Sequence, residues 1–213
     1  SVVLAGALIS RKKQAKFSYP GGCDIGARPI DLHLEGFRKI GIDIEEDAGC
    51  INCSSEKIIG NEISLDFPSV GATENIMLAS VYAEGTTVIK NAAREPEIVD
   101  LQNFLNKMGA KISGAGESEI IIKGVQSINK DFGYKIMPDR IEAGTMLCAA
   151  AATSGKVKIN NVVPEHISSI TYKLEKMGCK IDIKKNSICI EAPKKLKAED
   201  IKTMPYPGFP TDM

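Results

Sequence analysis

One thiol in a glycine-bearing loop is the most reactive arrangement in this 213-residue sequence. Cys23 lies within Pro20-Gly21-Gly22-Cys23-Asp24-Ile25-Gly26-Ala27-Arg28-Pro29, where three glycines and two prolines accompany it. A backbone of that composition can take unusual dihedrals and close as a lid. Arg28 stands directly before a proline-initiated helix, where free N–H groups and the helix dipole favour an anion. A guanidinium placed there can grip phosphate or carboxylate through two parallel hydrogen bonds. A basic neighbour and a helix start also lower a thiol's pKa, so Cys23 suits a nucleophile or a proton donor. A flexible surface loop with an incidental cysteine fits the same residues. The spacing supplies no partner imidazole: His33 lies on the following helix and His166 in an equivalent turn further on. Both positions equally suit an exposed helix residue or a satisfied polar group.

The other candidates are plainer. Pro96-Glu97 and Asp139-Arg140 fit helix starts, and Asp212, taken alone, reads as a helix N-cap. Cys50 and Cys53 form a lone C-x-x-C. On a strand, residues three apart point to opposite faces, and no second pair or nearby histidine completes a zinc site. Cys148 and Cys179 fall in apolar helix or helix-end settings, where a small hydrophobe belongs. Reduced cytoplasmic thiols are the simplest reading of this cysteine usage.

These residues must be positioned by a scaffold that repeats itself over roughly 70 residues. A helix ending in Lys39-Ile40-Gly41 recurs as Lys107-Met108-Gly109 and as Lys176-Met177-Gly178. In the clearest copy, 63–66 reads as a strand and 71–83 as a helix with Ile76, Met77, Ser80 and Val81 on one side. The β-branched run 86–89 is a strand, Pro96 opens a second helix, and Gly109 closes it. Segments 110–114 and 119–123 are strands, so the unit is βαβαββ. The next copy predicts a strand over 134–137, a helix over 144–153 and a strand over 156–159. A helix over 167–177 and strands over 180–183 and 187–190 complete it. The first copy begins with a helix, 2–9, and lacks its leading strand. A fourth starts after Asp200 and stops where a helix would begin. The expectation is a piece of a longer protein. Repeats of this kind bury their apolar helices against one another or against a central sheet, and periodicity does not decide between the two.

Bulk properties exclude several classes. Lys plus Arg and Asp plus Glu both number 27, so no basic excess points to nucleic acid or an anionic membrane. No apolar run approaches the roughly 18 residues of a spanning helix, and the apolar start has no basic region ahead of it.

The Cys23 loop, continued as Ile30-Asp31-Leu32-His33, resembles the catalytic loop of the UDP-N-acetylglucosamine 1-carboxyvinyltransferase (MurA) family, the enolpyruvyl transferases of peptidoglycan synthesis. Further segments agree in order: Ser69-Val70-Gly71-Ala72-Thr73, Asn91 to Asp100, Pro138-Asp139-Arg140-Ile141-Glu142 and Phe209-Pro210-Thr211-Asp212-Met213. The resemblance runs the length of the chain.

It implies an α/β fold, an inside-out α/β barrel of βαβαββ units in two domains, with the active site between them. Residues 1–137 would belong to the catalytic-loop domain and 138–213 would open the second. The implied reaction moves the enolpyruvyl group of phosphoenolpyruvate to the 3′-hydroxyl of UDP-N-acetylglucosamine and releases phosphate, the first committed step of cell-wall synthesis. Carbon 3 must gain a proton, the sugar hydroxyl must lose one, and the phosphate must be held throughout. By the resemblance Cys23 is the general acid and the residue that the epoxide fosfomycin would label. Asp212 is the base, and Arg28 clamps the phosphate. Arg28, Pro29, Ile30, Asp31 and Leu32 border the nucleotide-sugar pocket together with Ser69, Val70 and Gly71. No cofactor or metal is called for. Phe67 stands near a point where some members carry a basic residue. The family's Lys-Asn pair would fall before Ser1 and its late arginines beyond Met213, so the chain alone is expected to turn over negligibly. Two alternatives accompany this reading: a 5-enolpyruvylshikimate-3-phosphate synthase, whose site does not rely on such a cysteine loop, and a scaffold that performs no reaction.

Overall fold

The glycine that marks each repeat is a helix stop. In the computed structural model, which describes residues 2–19, 30–47, 49–129 and 131–213, Gly41, Gly109 and Gly178 have φ of 82°, 107° and 101°. Only a residue without a Cβ takes that left-handed turn at little cost, so the chain leaves each helix at the same point and enters an extended run.

Around these stops the same module forms three times. A strand, a helix and an antiparallel strand pair appear as β1 (Gln14–Ser18), α2 (Asp31–Lys39), β2 (Asp43–Asp47) and β3 (Cys50–Ser54). They recur as β5 (Thr86–Lys90), α4 (Pro96–Met108), β6 (Lys111–Ser113) and β7 (Glu119–Lys123), then as β8 (Lys156–Asn160), α6 (Ser168–Lys176), β9 (Lys180–Lys184) and β10 (Ser187–Glu191). In each sheet the last strand of the module lies in the middle: β1-β3-β2, β5-β7-β6 and β8-β10-β9. All these pairings are antiparallel. Before each module runs another helix: α1 (Ala5–Lys12), α3 (Val70–Ser80) and α5 (Arg140–Ala152). In the second copy β4 (Glu62–Ser64) precedes α3 and pairs parallel with β5, which completes βαβαββ.

The chain divides into two compact units, Ser1–Tyr134 and Lys135–Met213. In the first, α3 is buried on nearly every side: Ala72, Thr73, Asn75, Ile76, Met77, Ala79 and Ser80 are all inside. It is therefore not the one-faced amphipathic helix that 71–83 suggests, but a central helix with α1 and α2 against it. The contacts are close. A Cβ added at Gly6 of α1 would stand 2.1 Å from the Asn75 carbonyl oxygen, and one at Gly36 of α2 would stand 2.4 Å from Ile76 Cδ1. Sheets cover this helical layer from outside with one face inward, as in β7, where Ile120 and Ile122 are buried while Glu119 and Lys123 are exposed. Phe37, Ile9, Ile40, Ile51, Ile76 and Met77 are fully buried there, each burial contributing roughly 1.5–3 kcal/mol. In this unit the choice left open by periodicity falls to helices inside and sheets outside.

The second unit has its own core, with Leu147, Ile167, Ile170, Ile188 and Ile190 at its centre. Its leading strand, expected over 134–137, does not form. The reason lies in Tyr134, whose ring meets Phe104 edge-on at 5.3 Å and whose hydroxyl bonds Asp100 Oδ1 at 2.8 Å. That side chain is spent on α4, and the segment that follows it enters no strand pairing among the described residues. No described helix is long and apolar enough to cross a membrane.

Candidate active site

The expected site residues of the first unit gather at two helix starts. At α2 the N-cap is Ile30, whose carbonyl accepts from the amides of His33 (2.9 Å) and Leu34 (3.1 Å). Asp31 at the first helical position is exposed, and Leu32 is half-buried. At α3 the N-cap is Ser69, whose Oγ accepts from the Ala72 amide at 3.3 Å. The Ser69 carbonyl accepts from the Thr73 amide at 3.0 Å and from Thr73 Oγ1 at 2.8 Å. The Val70 and Gly71 amides head the helix, where orphan donors and the dipole favour negative charge.

His33 joins the two starts. The ring is 7 % exposed, and a Cβ at Gly71 would lie 3.2 Å from its Cε1 and 3.4 Å from its Nε2. Its other nitrogen, Nδ1, lies 3.0 Å from Asn75 Nδ2. Asn75 is itself fully buried, accepts the Gly6 amide at 2.6 Å on Oδ1 and donates to the Val2 carbonyl at 2.9 Å. One side-chain amide thus ties the beginnings of α1 and α2 to α3. Sequence reasoning did not single out Asn75; the available signal was a polar amide in an otherwise apolar helix. His33 was open between an exposed helix residue and a satisfied polar group, and it is buried and satisfied at one nitrogen.

Burial lowers the His33 pKa. The folded state then resists a proton that the unfolded chain accepts near pH 6.5, so this contribution to stability is present above that value and is lost as pH falls through the folded one. Glu74, raised by burial and then by Glu97 and Glu95, works in the opposite direction. The expected result is a melting temperature that falls from pH 7.5 to 5.5 by more in the parent chain than in His33→Gln. Equal falls in calorimetry would remove the imidazole from the balance.

Asp212 belongs to the second unit, in an exposed terminal turn. Met213 beside it packs on α5, where a Cβ at Gly144 would meet its Cε at 3.0 Å. The turn is anchored by buried Phe209 and by Ser169 Oγ, which donates to the Gly208 carbonyl at 3.1 Å. Asp139 caps α5, accepting from the Ile141 and Glu142 amides at 2.8 and 3.1 Å, and Arg140 lies over the Tyr206 ring at 5.4 Å. Ile30, Asp31, Leu32, Ser69, Val70 and Gly71 are thus brought together by the first unit. Cys23, Arg28 and Pro29 lie outside the described residues. Among the described cysteines, burial pushes Cys53 up to about 11 and raises Cys148 and Cys179. These are inert packing thiols. A cavity of about 350 Å³ opens at the other end of α3, lined by Leu78, Val81, Tyr82, Phe104 and Met108 among others, and includes none of the expected site residues.

The family model described as EPSP synthase (3-phosphoshikimate 1-carboxyvinyltransferase) matches residues 1–213. The chain belongs to this family. Among curated proteins it is 56 % identical over 214 residues to UDP-N-acetylglucosamine 1-carboxyvinyltransferase 2 of Caldanaerobacter subterraneus subsp. tengcongensis, covering all of this chain and 51 % of that one. It is 55 % identical to UDP-N-acetylglucosamine 1-carboxyvinyltransferase 1 of Symbiobacterium thermophilum, with 100 % and 48 % covered. The chain spans about half the length of these relatives. In solved structures its fold resembles the enolpyruvyl transferase NikO from Streptomyces tendae, with a TM-score of 0.76 at 21 % identity over 92 % of this chain and 48 % of that one. EPSP synthase from Acinetobacter baumannii follows with a TM-score of 0.64 at 20 % identity, covering 89 % and 45 %. At such identities the likeness carries the α/β fold of the family and no more.

Proposed function

We propose that this chain is part of an enzyme that transfers the enolpyruvyl group of phosphoenolpyruvate to the 3′-hydroxyl of UDP-N-acetylglucosamine and releases phosphate. What carries the reading is identity of 51–56 % along the whole chain to relatives bearing that activity in their names. The fold alone is shared with transferases that use other acceptors. The site supports it in chemical terms. Two helix starts, at Asp31 and at Val70, converge on one buried imidazole and offer orphan amides to a diphosphate.

In this reading Cys23 delivers the proton to carbon 3 of phosphoenolpyruvate while the sugar oxygen bonds to carbon 2, and Asp212 takes the hydroxyl proton. Loss of a proton from carbon 3 and of phosphate from carbon 2 then restores the double bond. Arg28 holds the phosphate, and Arg28 through Leu32 with Ser69, Val70 and Gly71 hold the nucleotide sugar. Residues 1–137 belong to the catalytic-loop domain and 138–213 to the second domain of an inside-out α/β barrel. The central position of α3 beneath its sheets supports that layering. The enzyme works in the cytoplasm, in cell-wall synthesis.

The test is phosphate release from phosphoenolpyruvate by a polypeptide of the relatives' length that carries this chain. Release with UDP-N-acetylglucosamine as acceptor and none with shikimate 3-phosphate is expected; the reverse would move the protein to the shikimate branch of the family. The 213-residue chain by itself is expected to release almost none.

A further inference from the structure

Helix α3 rests on both helices of the copy before it: its Asn75 carbonyl meets Gly6 of α1, and its Ile76 side chain meets Gly36 of α2. The repeat predicts the same seat one copy further on, where α3 and α4 together would receive another first helix. Phe104 stands on α4 where Gly36 stands on α2, each five positions before its stop glycine. No described helix of the first unit occupies that place. It is the cavity of about 350 Å³, walled by Leu78 and Val81 of α3, Phe104 and Met108 of α4, and Ala7 and Ser10 of α1.

Two observations on α1 show what this cavity lacks. Ser10 is 6 % exposed, and its Oγ has no hydrogen-bond partner among the described residues. A buried hydroxyl in that state is costly until something offers it a bond. Leu4 and Leu8, in contrast, are 59 and 47 % exposed. With Ala7 and Arg11 they follow the i, i+3, i+4, i+7 spacing of one helix face, while Ala5, Gly6 and Ile9 fill the face turned to the core. The uncovered apolar surface thus runs from the cavity along two turns of α1, which suits a helix laid beside α1 better than a small molecule held inside. At its end Arg11 meets the Tyr82 hydroxyl at 3.4 Å and enters no ion pair among the described residues.

We propose that α1, α3 and α4 form the seat of a further helix, contributed by polypeptide outside this chain. Its inward face is apolar toward Leu8, Leu78 and Phe104, with a hydrogen-bonding side chain opposite Ser10 and an acidic one toward Arg11. This rests on the reading that the chain is part of a longer polypeptide, as its span of about half the length of its relatives suggests.

The same substitution in two polypeptides tests it. Leu8→Glu changes a half-exposed position of the 213-residue chain and should move its melting temperature by less than about 2 °C, as surface changes do. In the polypeptide of full family length the glutamate would be buried against the added helix, and a fall of about 5 °C or more, or no folded protein, is expected. Ser10→Ala should leave the 213-residue chain as stable as before or more so, and should lower the melting temperature of the long polypeptide by leaving the added helix's polar group unpaired. The dye 8-anilinonaphthalene-1-sulfonate should bind the 213-residue chain, less so as Leu8→Glu, and the long polypeptide far more weakly. Equally small shifts for Leu8→Glu at both lengths, or equal dye binding, would overturn the proposal. So would a long polypeptide that sediments as a dimer and as a monomer when Leu8→Glu, which would assign the face to a second copy. A long polypeptide with these shifts but no phosphate release would sink the transferase reading alone; one that releases phosphate without them would sink this proposal alone.

Discussion

Gly6→Ala is expected to cost about 3 kcal/mol of stability, near the upper end of what overpacking a core produces. Helix propensity alone argues the other way, since alanine in a helix interior is better than glycine by about 1 kcal/mol. Packing reverses the sign. The added Cβ would stand 2.1 Å from the Asn75 carbonyl oxygen and 2.7 Å from its Oδ1, and the first of these is backbone that cannot rotate away. Moving α1 outward would also stretch the Gly6 amide from Asn75 Oδ1 and the Val2 carbonyl from Nδ2, leaving buried polar groups unpaired. For a chain of this length the loss corresponds to a fall of roughly 10 °C in melting temperature. Gly133→Ala is the control, because nothing lies within 4 Å of a Cβ there. A Gly6→Ala chain that melts with the parent would mean that α1 and α3 do not cross as described.

The second large effect is on turnover. Cys23→Ala, in a polypeptide of full family length, is expected to lower the rate of phosphate release about a thousandfold, the middle of the range for removing a general acid. Alanine has no proton to give to carbon 3, and the enol phosphate carbon is a poor base that water protonates slowly. Substrate binding should change far less, since Arg28, the α2 start and the α3 start are untouched. A drop in affinity with unchanged turnover would make Cys23 a contact rather than an acid.

Much of the scaffold can be read from residue types because local chemistry and tertiary packing agree. Pro96 opens α4 and Gly109 stops it, and Asp139 caps α5. The β-branched run at Thr86 forms β5 with its inward face on the core. Agreement fails where a long-range contact overrides local preference. Tyr134 is drawn to Asp100 and Phe104, and the extended-looking segment after it forms no strand pairing among the described residues. Helix α3 carries no polar stripe to reveal its orientation because it has no solvent face to mark. The candidate site divides in the same way. The Cys23 loop shows itself in the sequence as a break in the repeat, whereas the capping of α3 by Ser69 emerges only in the fold. Asn75 is only one amide in an apolar run. Its meaning comes from Val2, Gly6 and His33, which are 73, 69 and 42 positions away and meet it only in the folded unit.

The central claim is that Cys23 is the thiol at the reacting carbon, and fosfomycin tests it most directly. A thiolate opens the epoxide by forming a carbon–sulfur bond while the ring oxygen takes up a proton, so the whole reagent is retained on the protein. Cys53, Cys148 and Cys179 are held back by their raised pKa values. Peptide mass mapping of the full-length polypeptide after treatment should find one adduct, on Cys23, with loss of activity in step. Adducts on other cysteines with Cys23 unmodified, or activity that survives complete labelling of Cys23, would contradict the account.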